Sequence, residues 1–100
     1  MNTSPTPALW HLVAAYFHQD WWLIYPDEAA AIDDFVTGSG ELVARLPGEI
    51  DWVLASHHTE TEVEAYLDSL GCDYQAPAEL GGYRSWLERI AARVRATLST

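Results

Sequence analysis

Lysine is missing altogether from this chain of 100 residues, and cysteine and methionine occur once each. With Cys72 alone no internal disulfide can form, which suits a reducing compartment. Without lysine, five arginines face fifteen acids, for a formal net charge of −10. A surface of that sign repels phosphate backbones, whose binding depends on cations that displace counterions, so nucleic acid is excluded as a partner. A basic leader is also missing: Met1 to Pro7 holds two prolines and no cation. The uncharged stretch from Thr3 to Gln19 carries proline, serine, threonine and histidine, a composition that excludes a membrane span. No segment reads as a targeting signal, and the expected location is the cytoplasm.

What the chain does have is apolar material. Hydrophobic residues make up 49% of it and five are tryptophan, enough for one core without metal or disulfide support. The length fits one domain. Helical periodicity dominates, so the expected fold is all-α: a compact single-domain bundle of about five helices over residues 7–98, with residues 1–6 as a frayed N-terminus. Thr6 and Pro7 suit an N-cap and first helical position, and Leu9, Leu12, Val13, Tyr16 and Phe17 follow at helical spacing. Trp21 to Tyr25 reads as a short apolar connector, strand or buried coil. A second helix starts near Pro26, with Asp27 and Glu28 in its first turn and Gly38 and Gly40 at its end. From Glu41 to Ser56 the spacing is again helical, with Pro47 expected to kink or restart the helix. Thr59 and Glu62 form a capping box, and Gly71 is the matching stop. A loop over 72–82 leads into a last helix from about Tyr83 to Leu98.

No catalytic or metal centre is legible. His11 and His18 lie seven apart and His57 and His58 are adjacent, but neither pair has the i, i+4 spacing or the cysteine partners of a zinc site. Cys72 sits in a loop beside Asp73 with no cation to stabilise a thiolate, so it reads as a small buried thiol. Ser39 in Gly-Ser-Gly lacks the strand-to-helix context of a nucleophile. No cofactor is expected. An enzyme built on His18 and Asp20 is the weakest reading. The acids carry more information: fourteen of the fifteen lie in residues 1–80, where Arg45 is the sole arginine, whereas Arg84, Arg89, Arg93 and Arg95 gather in the last twenty residues. Such a face is either solvated or docks a basic protein, whose approach it would accelerate by roughly 10–10³-fold.

The most distinctive string is Tyr16-Phe17-His18-Gln19-Asp20-Trp21. Together with Leu9, Ile32-Asp33-Asp34-Phe35, Leu70-Gly71-Cys72 with Tyr74, Tyr83-Arg84, Trp86-Leu87 and Ile90, it resembles the immunity proteins of bacterial contact-dependent growth inhibition (CdiI-like) and related polymorphic-toxin systems. These matches run from residue 9 to residue 90. The resemblance implies a small helical cytoplasmic protein without catalytic residues or cofactor, which binds and neutralises the C-terminal toxin domain delivered by a neighbouring cell. The expected partner is that cognate toxin domain, basic and of a kind that is often a nuclease, and a monomeric inhibitor is favoured; the alternative is an acidic interaction adaptor. Motif residues shared across different toxin pairs should hold the fold, which assigns Tyr16, Phe17, His18, Gln19, Asp20, Trp21, Arg84 and Trp86 a structural role, with Asp20 and Arg84 as a charge pair. The expected toxin-binding acids are Asp27, Glu28, Asp34, Glu60, Glu62 and Glu64. Trp22-Leu23-Ile24, directly after the string, is more apolar than the family pattern suggests.

Overall fold

Proline at the first helical position and glycines or capping side chains at the breaks divide the chain into six α-helices in a computed structural model that describes residues 5–17, 20–72 and 74–99. Pro7 opens α1 (Pro7–Tyr16), where its missing N–H costs nothing. Thr6 precedes it but does not cap it. Thr6 is fully buried and its hydroxyl meets the Tyr66 hydroxyl at 2.5 Å. Of the segment expected to fray, residues 1–4 lie outside the described residues, and Pro5 is exposed.

The connector after the aromatic string is neither strand nor buried coil. It is a single helical turn, α2 (Trp21–Ile24), closed by the Tyr25 N–H returning to the Trp21 carbonyl at 2.9 Å. Only Trp21 turns inward, onto Phe17 and Tyr74. This turn accounts for six helices rather than five.

Asp27 caps α3 (Glu28–Gly38) by accepting the Ala30 N–H at 2.8 Å. α4 (Glu41–Ser56) runs through Pro47 as one element, so the expected restart does not occur. Pro47 is buried, and Val43, Leu46, Ile50 and Val53 around it all face the core. Their burial offsets the one backbone hydrogen bond that proline removes. The capping box opens α5 (Glu60–Ser69) as expected: Thr59 Oγ1 accepts the Glu62 N–H and Glu62 Oε1 accepts the Thr59 N–H, each at 3.1 Å. Gly71, at φ +88°, stops it. A 3₁₀ turn (Ala78–Leu80) precedes α6 (Gly82–Leu98).

The long helices α4 and α6 form the main pairing. α1 packs on α4 and on α3, and α5 packs on α6. The result is nearly isometric, 32 × 30 × 28 Å. At its centre Trp86 stacks on Tyr74 with ring centroids 4.5 Å apart and meets Phe17 edge-on at 5.1 Å. Phe17 and Trp86 are fully buried. No helix among the described residues is long and apolar enough to cross a membrane.

Candidate protein-binding surface

Glu60, Glu64 and Asp68 stand at i, i+4 and i+8 on α5, a spacing that sets three carboxylates in one row along a helix face. That row is one wall of a groove of about 890 Å³. Gly81 to Arg84, at the start of α6, line it as well, and Cys72, Tyr74, Gln75, Ala76 and Ala78 of the connecting segment complete the lining. Burial, reinforced by the nearby Glu64 carboxylate, pushes the Tyr83 hydroxyl above its ordinary value, so it stays a neutral donor to the Tyr74 carbonyl at 3.0 Å. Cys72 is buried, and its thiol lies 3.7 Å from the same carbonyl.

The row is not uniform. Glu60 is committed to the fold. α6 has no side-chain cap of its own, and Glu60 reaches across from α5 to accept the N–H groups of Tyr83 at 2.5 Å and Arg84 at 3.1 Å. A carboxylate on the second and third amides of a helix satisfies two orphan donors and meets the positive end of its dipole. Gly82 makes the approach possible. At φ +69° a Cβ there would stand 2.4 Å from Glu60 Oε2. All three acids of the row are exposed, but Glu64 and Asp68 make no ion pair among the described residues.

The cations explain why. Arg45 faces Glu49 at 3.7 Å, Arg89 meets Glu28 at 3.3 Å, Arg93 grips Asp33 through two bonds of 2.9 and 2.8 Å, and Arg95 binds Asp51. Arg93 holds the Asp33 carboxyl below the usual carboxylate range, against a smaller opposing contribution from burial. The charge pair expected between Asp20 and Arg84 gives way to a backbone role. The Arg84 guanidinium donates to the carbonyls of His57 at 2.5 Å and Leu54 at 3.4 Å, closing the C-terminal end of α4. All five arginines are thus engaged within the fold, and no arginine is left over for the surplus of acids.

The six acids expected at an interface divide by what they already do. Asp27 caps α3. Glu62 belongs to the capping box, whose Thr59 bond lowers its pKa. Glu28 accepts the Tyr74 hydroxyl at 2.5 Å as well as Arg89. Burial and this bond raise the Tyr74 hydroxyl well above its ordinary value. Asp34 accepts the Tyr25 hydroxyl, which burial first and then that carboxylate push up to about 12. Glu60 caps α6, and Glu64 alone of the six faces the groove without a structural task. Tyr74 links the two acidic regions, since the residue lines the groove and its hydroxyl meets Glu28. Asp68 escaped the sequence reading, although its spacing from Glu60 and Glu64 was the signal that could have found it.

The aromatic string is placed as follows. Phe17 is fully buried, Tyr16 is half-buried against Phe35 at 5.8 Å, Trp21 is half-buried and Asp20 is exposed. His18 and Gln19 lie outside the described residues. Among the described residues no group of three or more histidine, cysteine or acidic side chains is gathered for a metal ion.

The class of protein is therefore an all-helical, strongly acidic domain whose arginines serve its own fold and whose groove is walled by carboxylates. Residues 5–94 match the CdiI immunity protein family, and the chain belongs to it. Membership carries a toxin-neutralising immunity role in general and implies a cognate toxin as partner. No curated protein and no solved structure matches the chain.

Proposed function

We propose that this chain binds the C-terminal toxin domain of a contact-dependent growth inhibition or related polymorphic toxin and neutralises it stoichiometrically, without turnover, in the cytoplasm. The observation that carries the reading, beside family membership, is the imbalance of charge. Every arginine is engaged within the fold, while Glu64 and Asp68 line a groove and make no ion pair among the described residues. A partner rich in lysine and arginine supplies what this surface lacks. Its long-range attraction to a chain of net charge −10 speeds encounter, and a basic side chain entering the groove finds two exposed carboxylates. Glu60, Glu62, Asp27, Glu28 and Asp34 add to the field while holding helices and loops in place.

Co-expression with the cognate toxin domain tests the role: protected growth is expected, and loss of growth despite abundant folded protein would refute it. Binding kinetics test the surface. Glu64→Lys combined with Asp68→Lys should slow association several-fold at low salt, within a steering range of roughly 10–10³-fold, and the difference should fade as salt rises. Association that is unchanged by both substitutions and by salt would refute the groove as the electrostatic face.

A further inference from the structure

The turn α2 exposes large apolar side chains in a way nothing in the fold requires. Trp22, Leu23 and Ile24 are 63%, 66% and 60% exposed, although they follow directly on Trp21, which packs inward. Single exposed apolar residues are ordinary on protein surfaces, but three consecutive large ones on one helical turn mark a contact site. Taking the immunity reading as its basis, we propose that Trp22-Leu23-Ile24 is the apolar anchor that holds the cationic toxin once the acids have drawn it in.

Charge selects the occupant. Asp20 precedes the turn, and Tyr25, which follows it, donates to Asp34. From Asp20 to Val43 the chain carries six acids and no arginine; Arg89 and Arg93 of α6 reach two of them, Glu28 and Asp33, and the other three arginines are bound to partners elsewhere on α4 and α6. A second copy of the chain would bring acid against acid around this patch, two molecules of net charge −10 each. An anionic lipid surface is repelled for the same reason. A basic protein with an apolar pocket suits both the patch and its rim, which is the anatomy of an apolar centre inside a charged border. The patch is also joined to the groove. The Trp21 ring, at the base of the turn, lies 5.5 Å from that of Tyr74, which lines the groove. Trp22 is the kind of residue that dominates binding when buried at an interface.

Two kinetic signatures separate anchor from steering. Trp22→Ala, measured against the purified cognate toxin domain, should weaken binding roughly 30-fold through faster dissociation, equally at low and high salt. Leu23→Ser should act in the same direction, and both variants should melt as the wild type does, because neither side chain is in the core. If both bind with wild-type dissociation rates, the anchor is refuted while the immunity reading stands. If the wild type binds no toxin, the immunity reading fails and takes the anchor with it. Sedimentation of the chain alone should show a monomer. A dimer that Trp22→Ala dissolves would assign the patch to a second copy and overturn the proposal. Should Trp22→Ala lower the melting temperature, Leu23→Ser and Ile24→Ser decide.

Discussion

Glu60 and Glu64 offer a controlled comparison: two exposed glutamates one helical turn apart, of which one caps another helix and the other caps nothing. Removing the carboxylate in Glu60→Ala strips a charged acceptor from the Tyr83 and Arg84 amides at the start of α6. Loss of a capping acceptor costs about 0.5–2 kcal/mol, and the lost charge at the dipole adds about 0.3–1 kcal/mol at an exposed site. Water reaches this site and recovers part of that, so the expected loss is about 1–2 kcal/mol. For a domain of this size each kcal/mol is worth about 4–8 °C in Tm. Glu64→Ala should leave Tm unchanged or raise it slightly, because it relieves like-charge contacts along the row worth about 0.2–0.5 kcal/mol each. Glu60→Gln, which keeps one acceptor oxygen without the charge, should fall between them. Thermal melts followed by circular dichroism measure all three. Glu60 also occupies the first turn of α5, so hydrogen exchange at the Tyr83 and Arg84 amides isolates the contribution at α6. Those two amides should lose protection in Glu60→Ala and keep it in Glu64→Ala. Equal melting of the two alanine variants, with unchanged exchange at both amides, would refute the assignment of Glu60 as a cap.

The same contact predicts that Gly82→Ala destabilises the wild type by displacing Glu60, and costs less in a Glu60→Ala background, where only the strain of positive φ remains; a double-mutant cycle reads the difference. Glu49, nine-tenths buried on α4, accepts the Leu9 N–H at 2.9 Å and so caps α1 from another helix. Glu49→Ala should cost about 1–3 kcal/mol in urea denaturation because the buried amide loses its acceptor, whereas Arg45→Ala, at an exposed partner 3.7 Å away, should cost under about 1 kcal/mol. Phe17→Ala should cost about 3–5 kcal/mol by opening the aromatic centre. Asp33, whose pKa the Arg93 bonds lower, stabilises the fold above the ordinary carboxylate pKa of about 3.9, and that contribution is lost as pH falls through the lower folded value. Both side chains are about half exposed, so the effect stays under about 1 kcal/mol, and urea midpoints measured down an acid series should fall less steeply for Asp33→Asn than for the wild type.

Within the chain, local features were legible wherever a residue acts on its own neighbours. The Thr59–Glu62 capping box and the stop at Gly71 both follow from interactions spanning a few residues, whereas Asp27, read as part of the first turn, is the cap that precedes α3. The readings that changed involve partners far apart in sequence. Pro47 looked like a break because its own backbone loses a bond, yet the core residues around it keep α4 whole. Arg84 looked like a partner for Asp20, but it lies against the end of α4, where the last carbonyls are short of donors. Trp21 to Tyr25 was ambiguous because five apolar residues have no period long enough to choose between strand, coil and turn.

The charge imbalance, the helical content and the kinship with immunity proteins are properties of composition and order, and these the chain determines before it folds. Which acids remain available is a property of contact alone. Glu60 and Glu64 are the same residue type on the same face of the same helix, and apart from the place of Glu60 in the first turn nothing local distinguishes them. Glu60 is occupied because folding brings the bare N-terminus of α6 against it, with Gly82 leaving the space. The exposure of α2 has the same origin: Trp21 and Trp22 are chemically identical neighbours, and packing on Phe17 and on the distant Tyr74 turns one inward and leaves the other to solvent.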